Sequence, residues 1–415
     1  MKDFFRAIFN RLQLPSVIFY LNLLSIKNYF FWLFSKTKFL KNSEFSGSKI
    51  ALIALFKKGM LRNDIQNLIK TLREKNFYVI GVNTLKLSES HKNFFDCYIE
   101  RYNFGRDFGS YKKGFQHIFS MLDKSERSSS VLMLNDSVFY SYSNLSNFID
   151  AMSSENYEVI GATENFEIEH HLGSFCINFS KEIVENPKFQ KYWNSYSLSD
   201  MRPKVIKKGE MGLSKIIKKC LSSSEKMNVL YSVESFQKFI DSNDYIWKNF
   251  NNYSRKSRKE GWPTPTINSI HKEVMHYILS KSSFYSDNID LEAELNELNP
   301  NGVYTLDEYF KFLEDNNVTL NHNIIRELST SQLLSSFARG SQIHQNHGFN
   351  YMMGCGILKL DAVYRGMINY QDILLMQKYM SSEDFKEYSR ILLKTAFGED
   401  TLFGWRRVAF LSGYI

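Results

Sequence analysis

Between residues 48 and 179, short apolar runs alternate with segments whose apolar residues recur every three or four positions. The runs KIALIAL and FYVIGVN each read as a buried strand, and the segment 62–75 between them reads as a helix with Ile65, Leu68 and Leu72 on one face. Strands that alternate with helices predict an α/β fold, in which a mainly parallel sheet is covered by helices on both faces. Such a sheet binds ligands at the carboxyl ends of its strands.

The same reasoning extends this pattern along the chain and divides it into three parts. Four more strands are predicted over 97–102, 130–136, 158–163 and 173–179, and two more helices over 110–122 and 144–152. Beyond residue 300, the apolar spacing predicts helices. We therefore expect a basic aromatic segment over 1–45, an α/β domain over 46–290 and a helical domain over 291–415.

Polar side chains directly follow the strand VLML. Asn135, Asp136 and Ser137 come next in the chain. These residue types favour turns, because their side chains bond nearby backbone groups, so a simple turn is one interpretation. The other is a ligand site at the strand end, where Asp136 would hold a divalent cation such as Mg²⁺ against substrate phosphates.

A second polar loop follows the predicted strand at 97–102. It contains Gly105, Arg106 and Asp107 and leads into a helix. Glycine permits close approach of a ligand, and a guanidinium beside a helix start suits phosphate or carboxylate. An Arg–Asp pair that only ties the loop is the alternative. Because both polar loops fall on the same edge of the predicted sheet, the ligand-site interpretation of Asp136 gains weight over the turn.

Two further segments carry candidate site residues. His170 and His171 lie among acids between two predicted strands, and they are interpreted as substrate contacts, metal ligands or a polar loop. Glu210 lies at a predicted helix start. There it either stabilises the helix dipole or acts as a general base toward an acceptor hydroxyl.

The first 42 residues carry most of the net positive charge. They contain seven Lys and Arg residues and one Asp, against a net charge of +8 for the whole chain. The near-neutral remainder disfavours a nucleic-acid partner. The apolar run from Leu14 to Ile26 is too short for a comfortable membrane span and lacks a signal-peptide cleavage site. We expect residues 1–45 to lie on an anionic membrane surface, or alternatively to pack as a helical arm.

Cysteine and histidine placement limits the remaining classes of site. The four cysteines are isolated, with no CxxC pair, which disfavours disulfides and structural zinc and is typical of the reducing cytoplasm. We therefore expect the protein on the cytoplasmic face of the plasma membrane. His344 and His347 lie in a glycine-rich stretch, where a metal site or a loop are both open.

The segments NFGRDFGSYKKGF, VLMLNDSVFY, GSFCINFSKEI and KKGEMGLSK, in this order, resemble the rhamnan synthesis protein F family of bacterial glycosyltransferases. The resemblance covers roughly residues 48–285, and WPTPTINSIHKEV is loosely similar to a later segment of that family. It implies a GT-A-type enzyme that takes a nucleotide-diphosphate sugar, dTDP-rhamnose being the best-known donor. The implied acceptor is a lipid-linked glycan or growing surface polysaccharide such as O-antigen.

The resemblance also implies roles for individual residues. GT-A enzymes usually carry an Asp-x-Asp motif for Mn²⁺ or Mg²⁺, whereas this chain has Asn135-Asp136-Ser137, so Asp136 would face the metal with one partner missing. Glu210 would be the base of an inverting reaction, with Asp107 a competing candidate. Residues expected to contact the donor are Gly105, Arg106, Asn135, Asp136, Ser137, His170 and His171. A catalytically silent binding or scaffold protein, and a nucleotidyltransferase, are the other hypotheses.

Overall fold

The computed structural model describes residues 2–45, 49–125, 129–166, 168–243, 277, 314–315, 319, 321–338, 347–364, 376–393 and 402–414. The chain divides into two compact units. Unit 1 comprises residues 1–164, 168–230 and 343–415, and unit 2 comprises 165–167 and 231–342. Some of the segments discussed from sequence lie outside the described residues: the WPTPTINSIHKEV segment, His344, and part of the region beyond residue 300 that is predicted to be helical.

The described strands belong to one large sheet and two small ones. They are β1 (Lys38–Asn42), β2 (Lys49–Leu55), β3 (Phe77–Asn83), β4 (Cys97–Glu100), β5 (Ser130–Asn135), β6 (Val138–Tyr140), β7 (Val159–Gly161), β8 (Glu164–Asn165), β9 (His171–Leu172), β10 (Cys176–Phe179), β11 (Met227–Val229) and β12 (Ile357–Lys359). All six strands predicted from the alternating pattern are present. The other six, β1, β6, β8, β9, β11 and β12, are short and were not predicted, because a strand of two to five residues carries little periodicity.

The described helices include long amphipathic ones and single turns. They are α1 (Lys2–Leu33), α2 (Asn63–Glu74), α3 (Glu89–Lys92), α4 (Arg106–Ser125), α5 (Leu145–Met152), α6 (Lys181–Glu185), α7 (Pro187–Ser195), α8 (Arg202–Val205), α9 (Gly212–Cys220), α10 (Val233–Asp241), α11 (His322–Ala338), α12 (His347–Met352), α13 (Leu360–Tyr364), α14 (Ser382–Leu393) and α15 (Trp405–Leu411). A π-helical turn over Ile206–Met211 joins α8 to α9, and a 3₁₀ turn covers Ser224–Lys226.

The large sheet has eight strands in the order β1-β4-β3-β2-β5-β10-β7-β11. Parallel pairing joins β4, β3, β2 and β5 in a continuous block, and β11 also pairs parallel with β7. β1 pairs antiparallel with β4, and β10 runs antiparallel between β5 and β7. The predicted α/β class with a mainly parallel sheet is therefore confirmed.

Helices cover both faces of the sheet. Alternate residues of β2, Ile50, Leu52 and Ala54, pack in one cluster with apolar residues of α4, α7 and α9. The intervening residues of β2 are equally buried, and α2 packs on the opposite face against β3. Burial on both sides explains why the strands are continuous apolar runs, since neither face meets water.

The carboxyl-terminal part of unit 1 packs beside the strand-end turn of the sheet. β12 pairs antiparallel with β6, so that Lys359 lies opposite Val138. Phe139 of β6 packs in one cluster with Tyr388 of α14, and the carboxylate of Asp384 accepts hydrogen bonds from Ser141 and Tyr142. The predicted helical character of this region is confirmed, whereas this strand pairing was not predicted.

The first helix presents an apolar face to solvent. α1 is one continuous helix, with Pro15 inside it. Trp32 packs against Phe104, and Asn28 Nδ2 donates to Asp200 Oδ2 at 2.9 Å, so one side is attached to unit 1. Within the described residues, no helix meets the length and hydropathy that a membrane span requires.

In unit 2, the Phe236 ring of α10 stacks on the Phe337 ring of α11, with the ring centres 4.1 Å apart.

Candidate functional site

The carboxyl ends of four parallel strands meet at one edge of the sheet. Leu55 is in register with Asn83, and Ala54 with Asn135, so the residues that follow these strands are neighbours. β10 runs the other way and Cys176 pairs with Leu134, so the residues that precede β10 lie at the same edge. The polar loops singled out from sequence are therefore brought to one place by strand direction alone.

Asn135 connects the strand end to the Gly-Arg-Asp loop. Its Nδ2 donates to Asp107 Oδ2 at 2.9 Å. Its Oδ1 accepts from the Ser137 backbone amide at 3.1 Å and from Ser137 Oγ at 2.7 Å. Asn135 thereby closes a local turn, as the turn interpretation predicts, and also contacts a carboxylate of the neighbouring helix.

Asp136 faces the loop that follows β2. Its Oδ2 accepts from the Phe56 backbone amide at 2.8 Å and lies 3.6 Å from Lys57 Nζ. Asn83 holds the same loop from the other side, because its amide accepts from Lys57 N and donates to Lys57 O. The carboxylate is 8% exposed, so it lies at the edge of the sheet and is largely shielded from water.

Asp107 lies in the first turn of α4, which begins at Arg106, four residues before the predicted start. Burial raises the pKa of the Asp107 carboxyl, and the nearby charge of Asp136 raises this pKa further. The cations of Lys359 and Arg106 oppose both effects. Asp107 and Asp136 are therefore close enough to influence each other, which sequence spacing alone does not establish.

Gly105 and Arg106 fix the loop against Asp200. Gly105 has φ +85°, and its amide donates to Asp200 Oδ1 at 2.7 Å. Arg106 also has positive φ, +50°, and its guanidinium donates to the carbonyl oxygens of Asp200 and Tyr414. Arg106 therefore helps to tie the loop through the carbonyl oxygen atoms of Asp200 and Tyr414. Asp200 was not identified from sequence, because nothing in its local context marks it.

The guanidinium of Arg101 holds the Gly-Arg-Asp loop through hydrogen bonds to its backbone. Its guanidinium is 7% exposed and donates to the carbonyl oxygens of Tyr102, Phe104 and Arg106. Burial lowers its pKa to about 10, an effect that the carboxylates of Asp107 and Asp200 oppose. Buried carbonyl groups that face one guanidinium define the loop shape, because each would otherwise lack a partner.

Glu210 lies in the π-helical turn. Its Oε1 accepts from Ser174 Oγ at 3.0 Å, and its Oε2 lies 3.7 Å from His171 Nε2. His171 Nδ1 is 2.8 Å from Glu169 O, an arrangement that directs Nε2 toward Glu210. The carboxylate is 31% exposed. π-helical turns occur frequently at functional sites, and here the extra residue places an anchored but accessible acid beside a histidine.

His170 does not share this position, although it is next to His171 in sequence. Its Nε2 lies 2.9 Å from Glu164 Oε2, between β8 and β9. His171 begins β9, whereas His170 lies in the loop before it, and the two rings have different partners. The structure therefore brings His171 to Glu210 and puts His170 on Glu164.

Lys359 lies close enough to Asp107 and Glu210 to interact with both charges, and it was not identified from sequence. Its Nζ donates to Ser137 Oγ at 2.7 Å and lies 4.7 Å from the centre of the Phe175 ring. Burial lowers the pKa of Lys359, whereas the carboxylates of Asp361, Asp107 and Glu210 raise it. Because β12 is about 220 residues after β5 in the chain, only the fold brings it to this edge.

The strand-end residues do not fit a divalent cation. Among the residues that the structure describes, no three His, Cys, Asp or Glu side chains converge as a metal-binding group. Asn135 turns its amide nitrogen toward Asp107, Ser137 Oγ faces the ammonium of Lys359, and Asp136 faces Lys57. Nitrogen donors and ammonium groups thus occupy positions where Mg²⁺ or Mn²⁺ would need oxygen ligands.

The family comparison agrees with the resemblance seen in the motifs. Residues 79–243 match the family model described as rhamnan synthesis protein F, and this match confirms the resemblance over that region. The matched segment contains the Gly-Arg-Asp loop, the strand-end turn and the π-helical turn.

Two curated proteins are similar over part of their length. An uncharacterized protein y4gN of Sinorhizobium fredii is 26% identical over 174 residues, 40% of this chain and 45% of that protein. The virulence protein VirA of Vibrio anguillarum is 30% identical over 149 residues, 34% of this chain and 46% of that protein. The chain therefore spans less than half of the length of these relatives.

Solved structures with local likeness include two glycosyltransferases. GlyE of Streptococcus pneumoniae has a TM-score of 0.25 and 11% identity, covering 49% of this chain and 50% of that chain. The mannosyltransferase PcManGT of Pyrobaculum calidifontis, in complex with GDP-Man and Mn²⁺, has a TM-score of 0.24 and 9% identity, covering 78% of this chain and 97% of that chain. TM-scores of this size do not define a common fold.

Proposed function

We propose that this chain is a GT-A-type glycosyltransferase that transfers a sugar from a nucleotide-diphosphate sugar to a growing cell-surface polysaccharide. One observation carries the proposal. Asp107, which interacts with the charge of Asp136, and Glu210, which lies beside His171, are at the same edge of a mainly parallel sheet, and both are charged neighbours of Lys359. The matched family name and the position at the strand ends support the same conclusion.

In this mechanism Glu210 is the general base. Ser174 Oγ anchors Oε1, which leaves Oε2 to take the proton of an acceptor hydroxyl. The acceptor oxygen forms a bond to the anomeric carbon, while the bond from that carbon to the diphosphate breaks and leaves its electron pair on phosphate oxygen. Attack from the side opposite the leaving group inverts the anomeric configuration.

The donor is proposed to lie along the strand-end loops. Gly105, Arg106 and Asp107 border this edge on one side, and the turn at 135–137 borders it on the other. His171 lies beside the base with its side chain 6% exposed, and it is proposed to meet the sugar next to Glu210; His170, 22% exposed, is a second candidate contact. Because the matched family is named for rhamnan synthesis, dTDP-rhamnose is the first donor to test.

The apolar face of α1 is proposed to hold the enzyme at the inner face of the plasma membrane, near a lipid-linked acceptor. The exposed residues of α1 recur every three or four positions and are mostly large and apolar: Phe19, Tyr20, Leu23, Ile26, Phe30 and Phe31, followed by Phe34 just after the helix. The ring of Tyr20 also contacts Trp405 of α15, beside Arg406. Aromatic residues interleaved with basic ones suit an anionic interface.

The test is turnover of dTDP-, UDP- and GDP-sugars by the full chain, with native lipid-linked glycan as acceptor. We expect Glu210→Gln to lower turnover about a hundredfold or more while donor affinity is retained, because the amide keeps the contact with Ser174 but cannot accept a proton. Glu182→Gln is the matched control. Glu182 lies in α6, directly after β10 ends at the opposite edge of the sheet, and its loss should leave turnover unchanged.

Three results would separate the alternatives. Tight donor binding without turnover by the wild-type chain, even with acceptor present, would favour the silent scaffold protein and refute the enzyme. Release of pyrophosphate from a nucleoside triphosphate and a sugar phosphate would instead indicate a nucleotidyltransferase. Equal turnover by the wild type and Glu210→Gln would remove Glu210 as the base.

A further inference from the structure

Two lysine ammonium groups contact the strand-end turn, one at Asp136 and the other at the next residue, Ser137. Lys57 Nζ lies 3.6 Å from Asp136 Oδ2, and Lys359 Nζ donates to Ser137 Oγ at 2.7 Å. They arrive from separate parts of the chain, the loop after β2 and the last residue of β12. Lys359 is held by the pairing of β12 with β6, and the Lys57 backbone is held by hydrogen bonds with the Asn83 side chain.

The hydrogen-bonding capacity of Lys359 is only partly used. An ammonium group has three N–H donors, and within the described part of the chain Ser137 Oγ is the acceptor of one of them. The ring of Phe175 faces the same group and offers no oxygen. Two donors therefore remain for another acceptor at this edge. A buried ammonium with spare donors suits an anionic ligand, because burial strengthens its attraction to a negative charge.

Burial also marks both lysines as unusual. It lowers the pKa of Lys57 and of Lys359, whereas Asp136 raises the former and Asp361, Asp107 and Glu210 raise the latter. Keeping two partly desolvated cations beside one turn is costly unless negative charge comes close to them. A ligand with two negative charges at this turn would compensate both.

We propose that Lys57 and Lys359 together bind the diphosphate of the nucleotide-sugar and supply the positive charge that a divalent ion supplies in metal-dependent transferases. The inference rests on the proposed function. Asp136 and Ser137 then position two ammonium groups where an Asp-x-Asp motif would position a metal. When the anomeric C–O bond breaks, its electron pair stays on the diphosphate, and the two lysines stabilise the added charge. The acceptor proton goes to Glu210, so the step is balanced.

The experiment measures binding of dTDP, UDP and GDP to the full chain by calorimetry, first with excess EDTA and then with Mn²⁺. We expect a nucleoside diphosphate to bind in EDTA, with an affinity that Mn²⁺ changes by less than about threefold. Lys57→Met and Lys359→Met should each weaken it about tenfold or more, the effect of losing one charged contact. Binding of the nucleoside without phosphate should not change. Lys181→Met, at the opposite edge of the sheet, is the matched control.

Folding is checked by thermal unfolding of each variant. Lys57 is 21% exposed and lies in a loop, so its substitution keeps the test valid if Lys359→Met fails to fold. Lys57→Arg should restore most of the affinity, because it retains the cation. The inference is overturned if EDTA abolishes binding, Mn²⁺ restores it and both Met variants bind like wild type; turnover with Mn²⁺ would then leave the proposed function intact. No binding and no turnover under either condition would refute the proposed function itself.

Discussion

The position of Glu210 depends on a close contact between the π-helical turn and α4. A Cβ built at Gly209 would lie 2.9 Å from two carbon atoms of the Phe108 ring. The ring is 1% exposed and has Trp193 and Tyr196 against it, with ring centres 6.0 and 5.4 Å away. Phe108 therefore has little room to retreat, and Gly209→Ala must displace either the ring or the turn.

The size of the effect follows from a comparison with Gly212→Ala. At Gly212 the nearest atom to an added Cβ is 3.7 Å away, an ordinary contact. Both substitutions gain about 0.5–1 kcal/mol from lower backbone entropy in the unfolded chain. Gly209→Ala alone adds an overpacking cost of about 1–3 kcal/mol. We therefore expect the free energy of unfolding of the two variants to differ by about 1–3 kcal/mol, with Gly209→Ala the less stable.

The assay is urea unfolding of both variants, followed by turnover under conditions where each is folded. Because Glu210 is the next residue, a shift of the turn moves its carboxylate from Ser174 Oγ, and we expect kcat to fall about tenfold to a hundredfold in Gly209→Ala. Gly212→Ala should retain wild-type turnover. Equal stability of the two variants would show that Phe108 yields without cost, and the packing argument would then be wrong.

Three further predictions address the remaining parts of the site and surface. Asp107→Asn should raise the free energy of unfolding at neutral pH. The pKa of Asp107 is higher in the folded than in the unfolded chain, so the wild type loses stability as the pH rises from the unfolded-state pKa through the folded-state pKa. In urea unfolding from pH 4 to 8, the stabilities of the two proteins should therefore converge at the acid end. Ser174→Ala should lower kcat about tenfold with KM nearly constant, because it frees the Glu210 carboxylate, and an unchanged kcat would contradict this role. Phe30→Asp should weaken sedimentation with anionic vesicles about tenfold or more, whereas Leu393→Asp, on the exposed side of α14, should not.

Local pattern was enough to find most of the elements that build the sheet. The run KIALIAL is buried on both sides, so its residue types alone indicate a central strand, and the predicted bounds, 50–56, are within one residue of the observed β2. The start of α4 was predicted late, at 110 rather than 106, because Gly105 and Arg106 both adopt positive φ directly before and at the helix start. Positive φ in an Arg residue depends on tertiary contacts, here those with Asp200.

The acids of the candidate site were singled out from sequence, whereas its two lysines were not. Asp107, Asp136 and Glu210 stand out in sequence because each follows a recognisable strand or begins a helix. Lys359 follows an ordinary apolar pair in a region whose pattern predicts helices, and Lys57 is one of two adjacent lysines in a loop. Nothing in the local sequence distinguishes them from solvated lysines. Their significance comes from burial and from neighbours that are distant in the chain.

From the amino-acid sequence alone came the α/β class, the edge at which a ligand would bind, and the family resemblance. These depend on periodicity and on motifs a few residues long, and the local sequence contains that information completely. Tertiary structure decided the rest: Asn135 donates to Asp107, Glu210 is held by Ser174, and Lys359 donates to Ser137, the residue after the acid where a metal was expected. The physical reason is that charge and hydrogen-bonding partners are set by distance in space, and the strand pairing that brings β12 beside β6 carries no local signal.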